Sequence, residues 1–113
     1  MAYVPNTGDA IWITLSPQAG HEQAGRRPVL VLSPAAYNRK VGLVICCLIT
    51  NQIKGYPFEV RLPEGLKVAG AILSDQVKSL DLKARQAEFL CPLPNAVTEE
   101  ALKKLNTLLH VVK

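Results

Sequence analysis

The chain has 113 residues, 49% of them apolar and 19% charged. That composition supports one packed domain spanning residues 1–113 and excludes both a two-domain protein and a disordered chain. A net charge of +4 and a pI near 9.1, without a long run of Lys or Arg, suit a polyanionic ligand without requiring one.

The opening "MAYVPNTGD" (1–9) lacks a basic segment followed by an apolar core, and no later window approaches ~18 apolar residues without charge. The expectation is a soluble, cytoplasmic protein that does not enter a membrane. "AIWITL" (10–15), "PVLVLS" (28–33) and "LVICCLI" (43–49) are short aliphatic and β-branched runs bounded by Gly, Pro, Asn or Ser, the pattern of buried strands. "PAAYN" (34–38) offers a helical turn. "YPFEVRL" (56–62) alternates apolar and polar positions, "AGAILS" (69–74) is apolar, and "VKSLDL" (77–82) and "AEFLCPL" (87–93) add two strand candidates. Turn signals in "NTGD", "NRKVG", "NQIKG" and "LPEGL" set a strand spacing typical of a small barrel or sandwich. In "TEEALKKLNTLLHVV" (98–112), Leu102, Leu105, Leu108, Leu109 and Val112 recur at helical spacing behind Thr98 as N-cap, with Glu99 and Glu100 in the first turn. One amphipathic helix is expected to close the chain.

Three cysteines, Cys46, Cys47 and Cys91, make an odd count, and the adjacent pair points to opposite faces of a strand. They read as reduced core thiols. No C-x2-C or C-x2-H spacing occurs, so neither a metal nor another cofactor is expected.

Three polar clusters carry candidate chemistry. Between the first two strands, a loop with Gly20 and Gly25 as hinges holds His21, Glu22, Gln23, Arg26 and Arg27. Loops on a rigid sheet concentrate binding and catalytic groups, and the same residues also suit a solvated hairpin whose arginines pair with Glu22. After the third strand, Thr50, Asn51, Gln52 and Lys54 are donors for phosphates or base edges, and Tyr56 and Phe58 have faces on which bases stack. A turn with two core aromatics is the other reading. In "SDQVKS" (74–79), Asp75 serves either as a base or as an acceptor for turn amides, and Lys78 adds a cation.

RNA carries its own nucleophile in the 2′-hydroxyl. Cleavage therefore needs only a proton acceptor, a proton donor for the leaving 5′-oxygen, and cationic donors for the crowded phosphorus. Arg27 supplies a permanent charge and paired donors, Thr50 a hydroxyl, and His21, Glu22 or Asp75 the proton transfer. A two-metal nuclease needs converging carboxylates, and the nine acidic residues form no D-x-D or E-x-K cluster.

"GDAIWITLSPQAGHEQAGRRPVLVLSPAAYN", a Thr-containing loop, "KGYPFEV" and "LSDQVKSLDLKAR" together resemble the MazF/PemK/Kid toxins of bacterial type II toxin–antitoxin pairs. The resemblance runs in order over roughly residues 8–85 and is most specific in the E-Q-x-G-x-R-P and D-Q-V-K-S blocks. It implies a mainly β fold, an SH3-like barrel of the CcdB/PemK type with a C-terminal helix. It also implies a homodimer and a metal-independent endoribonuclease, an mRNA interferase that leaves 2′,3′-cyclic phosphate and 5′-hydroxyl ends in single-stranded RNA. A cognate MazE-like antitoxin, with an acidic tail that blocks the RNA groove, is the implied partner. By position, Arg27 matches the family's catalytic arginine and Thr50 the threonine ending the third strand, with Glu22 and Gln23 in loop organisation and RNA contact. His21 and Asp75 match acid–base or stabilising residues of the Kid-like branch. That branch also uses an arginine where this chain has Leu73, which shifts the expected chemistry onto Arg27 and Thr50. "KGYPFEV" is nearer the MazF branch and "AGHEQ" nearer Kid and PemK, so cleavage specificity is assigned to the loops around 16–27 and 50–57 without a sequence. Two other classes share this architecture: a non-catalytic binding module and a CcdB-like gyrase inhibitor.

Overall fold

A computed structural model describes residues 3–15 and 25–111. Six strands form one antiparallel sheet in the order β4-β5-β3-β2-β1-β6, curled into an open half-barrel. The strands are β1 Asp9–Leu15, β2 Gly25–Val31, β3 Leu43–Thr50, β4 Glu59–Arg61, β5 Ala71–Asp81 and β6 Glu88–Pro92, with helices α1 Ala35–Val41 and α2 Asn95–Asn106.

The period-2 alternation of strand side chains divides the core between two faces. On one, Leu30, Cys47, Ile49, Val60 and Ile72 pack against Val97 and Ala101 of α2. On the other, Ile11, Ile13, Val29, Val31, Val44, Cys46 and Leu80 form a second apolar layer. Both central strands are thus buried on both sides, which is why they read as continuous aliphatic runs.

Cys46, Cys47 and Cys91 are buried free thiols. Burial pushes Cys46 and Cys47 up to about 12, because a thiolate loses its hydration there.

Three elements differ from the sequence expectations. "AGAILS" and "VKSLDL" are parts of one eleven-residue strand, β5. Its register against β3 passes from Cys47↔Val77 to Ile49↔Ile72, so Leu48 alone faces the four residues 73–76. The apparent break is an enlarged, irregular bulge inside a continuous strand.

The strand expected over 56–62 is limited to β4, Glu59–Arg61. Helix α2 begins one turn earlier than expected, with Pro94 rather than Thr98 at the N-cap position. Pro94 has φ −58°, a value its ring imposes and a helix start accepts. Its carbonyl accepts the amides of Val97 and Thr98. Thr98 therefore lies inside the helix, buried beside Val97. The helix stops at Asn106, where Thr107 Oγ1 donates to the Lys104 carbonyl (2.7 Å). Leu108 and Leu109 are consequently exposed beyond the helix rather than on its buried stripe; Val112 lies outside the described residues.

Asn38 of α1 ties the N-terminal segment to the sheet. Fully buried, its amide donates to the carbonyls of Pro5 (2.9 Å) and Ser33 (3.0 Å). Its Oδ1 accepts the Ser33 hydroxyl (2.6 Å), and Ser33 Oγ in turn accepts the Ile45 amide (2.9 Å). A buried network of this kind stabilises only while every member is satisfied. Asn38→Leu strands two carbonyls and a hydroxyl, and urea unfolding is expected to show a loss of about 3 kcal/mol.

Candidate active site

Adjacent strand residues face opposite ways, so the pair Arg26–Arg27 is divided by the sheet. Both lie within β2 rather than in the preceding loop. Arg26 spans three strands: it donates to Thr14 Oγ1 on β1 (2.7 Å) and pairs with Glu88 on β6 (3.1 Å). Arg27, opposite Ile13 in register, is half-buried on the other face. Among the described residues it has no ion-pair partner.

The register of β2 against β3, Val29↔Leu48 through Val31↔Cys46, would place Arg27 opposite Thr50 if continued by two residues. The ladder ends at Val29, next to Pro28, which has no N–H to donate. Beyond it the strands leave a depression of about 90 Å³ lined by Leu15, Arg27, Leu48, Ile49, Thr50 and Leu73.

Thr50 and Leu73 are shared with a larger groove of about 390 Å³, whose other walls are Gln52, Lys54, Tyr56, Glu59, Asp75 and Gln76. Two distant segments, the 50–59 loop and the β5 bulge, meet there. Thr50 Oγ1 accepts the Gln52 amide (3.0 Å), which leaves the hydroxyl proton available as a donor. Tyr56 donates its phenol proton to Asp75 Oδ2. That bond is the largest cause of the upward shift of the Tyr56 pKa, followed by burial and the Asp75 charge. Asp75 Oδ1 is buried without a partner among the described residues. Tyr56 and Phe58 are tilted against each other with centroids 5.8 Å apart.

Of the residues singled out in the sequence, Arg27, Thr50, Gln52, Lys54, Tyr56 and Asp75 line these two joined cavities. Asn51 is exposed beside them, and Phe58 is half-buried behind Tyr56. Lys78 lies farther along β5, opposite Cys46 in register, and Arg26 is held on the other face. His21, Glu22 and Gln23 lie outside the described residues.

Sequence reasoning passed over Glu59, Gln76 and Gly70. Glu59 is 7% exposed, and its two carboxylate oxygens accept the amides of Lys54 and Gly55, each at 3.0 Å. Its only local signal is an acid at the start of a short strand, four residues after the Lys54-Gly55 turn. Gln76 enters the groove through the bulge. Gly70, at φ +113°, brings its Cα against the Thr50 backbone: a Cβ would sit 2.0 Å from the Thr50 carbonyl oxygen.

This curled antiparallel sheet, with a helix against one face, is a CcdB/PemK-type fold. A family model for the PemK-like, MazF-like toxins of type II toxin–antitoxin systems matches residues 6–109, and the chain belongs to that family. It is 53% identical over 85 residues to the endoribonuclease toxin MazF of Escherichia coli K12, covering 75% of this chain and 76% of the relative. It is also 38% identical over 104 residues to the Escherichia coli endoribonuclease PemK, covering 88% and 78%. A MazE–MazF crystal structure from Deinococcus radiodurans superposes with a TM-score of 0.88 at 52% identity, covering 95% of this chain and 96% of that one.

Replacing Gly70 with Ala forces its new methyl into the Thr50 carbonyl. A stability loss of about 3 kcal/mol in urea is expected, with reduced activity in the fraction that stays folded, because Thr50 is displaced.

Proposed function

We infer that this chain is the toxin of a type II toxin–antitoxin pair and cleaves single-stranded RNA with its own 2′-hydroxyl as nucleophile. The observation that carries the site assignment is the junction of the Arg27 depression with the Thr50–Asp75 groove, at the point where β2–β3 pairing ends. In the reaction the 2′-oxygen attacks the adjacent phosphorus and the bond to the 5′-oxygen breaks. One proton leaves the 2′-hydroxyl and one reaches the departing oxygen, giving 2′,3′-cyclic phosphate and 5′-hydroxyl ends.

Arg27 is assigned to the charge that builds on the non-bridging oxygens, since a guanidinium stays charged at every working pH. Thr50 donates its free hydroxyl proton to the same phosphate. One oxygen of Asp75 is taken by Tyr56 and the other has no partner among the described residues, and proton transfer at the 2′-hydroxyl is assigned to His21, Glu22 or Asp75. Gln52, Lys54 and Tyr56 then hold the flanking nucleotides through amide, cation and ring face.

Positive charge extends the reading to partners. Two copies of a +4 chain would form a +8 homodimer, which draws RNA and, in competition with it, the acidic segment of a MazE-like antitoxin. Among the described residues no helix is long and apolar enough to cross a membrane; a cytoplasmic location is supported by the proposed mRNA substrate, which is found there.

The test is incubation with a long single-stranded RNA in EDTA, with mapping of cut sites and end groups. Wild-type protein is expected to cut at discrete sites with cyclic phosphate ends, at a rate the chelator does not change. Arg27→Ala is expected to lose at least about a hundredfold in kcat/KM while unfolding at the wild-type urea concentration. Full activity of that folded variant would remove Arg27 from the site. Saturable binding without product would make the protein a binding module.

A further inference from the structure

We propose that Glu59 is a positioning residue for RNA sequence selection, fixing the 50–58 loop in the single shape that reads bases. The proposal rests on the ribonuclease reading above. A carboxylate buried to 7% exposure needs partners. Glu59 finds them in two consecutive backbone amides, Lys54 N–H on one oxygen and Gly55 N–H on the other. Gly55 has φ +77°, the left-handed conformation a glycine accepts without strain. The carboxylate thus fastens a turn that carries Lys54 on one side and Tyr56 on the other, both in the groove wall.

Glu59 is itself held from outside the groove. Its backbone carbonyl accepts Lys104 Nζ from α2 (2.8 Å), and Lys104 also pairs with Glu100 one helical turn away (3.4 Å). The Glu59 amide donates to the Tyr56 carbonyl (3.0 Å), closing the loop on itself. Three loop residues therefore take their positions from one side chain and its backbone. A loop held this way presents Gln52, Lys54 and Tyr56 in one arrangement, and only nucleotides complementary to that arrangement gain every contact. A loosened loop adapts to more sequences, each bound more weakly.

Glutamine at this position keeps one acceptor but turns an N–H₂ group toward the second amide, so one of the two bonds is lost. The measurements are amide hydrogen exchange at Lys54 and Gly55 in the free protein, and cut-site mapping with KM and kcat on one RNA. They are made for wild type, Glu59→Gln and Lys104→Met, the last of which removes the outer tether while keeping its apolar stem. In Glu59→Gln, protection at both amides is expected to fall, KM to rise about tenfold with kcat changing much less, and cuts to spread to sequences the wild type leaves intact. Lys104→Met is expected to shift the same quantities in the same direction by less.

Wild-type protection in Glu59→Gln would overturn the clamp. Lost protection with an unchanged cut pattern and KM, or an equal fall in kcat without broadened cutting, would overturn its role in selection. If the wild type cuts no RNA, the ribonuclease reading fails and the selection role with it, while exchange at Lys54 and Gly55 still decides whether the clamp exists.

Discussion

Strand β5 pairs with β3 in two registers that do not agree, and the site follows from how the strand passes from one to the other. Its first residues pair with β4, Glu59↔Leu73 through Arg61↔Ala71, while the same strand pairs with β3 from Thr50↔Ala71 to Leu43↔Asp81. The mismatch is absorbed where Leu48 faces residues 73–76 alone. An inserted segment in one strand bends it and increases its twist, which is how a sheet with two free edges curls into a half-barrel. The same segment carries Leu73, Asp75 and Gln76 into the groove wall. Curvature and the placement of polar groups are one event. Gly70 is the condition for it, since only a residue without a Cβ lets the start of β5 lie against the Thr50 carbonyl.

Among the described residues the groove is held largely by neutral or compensated contacts, and its cations are not committed to the scaffold. Glu59 spends its charge on backbone amides, Asp75 on a phenol, and Arg26 is neutralised by Glu88 on the opposite face. Among the described residues neither Arg27 nor Lys54 is drawn into an ion pair. A phosphate bound there would meet cations that give up no partner among the described residues, a loss that would otherwise offset the gain of binding.

The strands that are buried on both faces were legible in the sequence, because β1, β2 and β3 carry aliphatic runs with Gly, Pro and Asn at their ends. The residues that end up together were legible in part: the block before Val29 and the "TNQIKGYPF" segment announced themselves by composition, and five of their side chains, with Asp75, line the two joined cavities. Long-range register was not legible. Nothing local in "AILSDQVKSLD" distinguishes two short strands from one bulged strand, because the difference lies in how many residues β3 supplies opposite it. Glu59 was missed for a related reason, since its burial depends on the amides of a loop that folds back over it. The start of α2 was misread because Thr98, Glu99 and Glu100 imitate a helix start. Pro94 provided one earlier, and Val97 and Ala101 made the earlier turn worth burying. Separation of Arg26 from Arg27 could have been anticipated once both were placed inside a strand.

The two adjacent thiols of β3 have a consequence for chemistry in an oxidising cell. Oxidation begins at the thiolate, and with Cys46 and Cys47 held up to about 12 almost none is present at neutral pH. The pair cannot relieve this by joining, since neighbours on an extended strand project from opposite faces and their sulfurs do not meet. Out of contact with solvent and held as thiols, the pair offers an oxidant far less to attack than an accessible, acidic cysteine does.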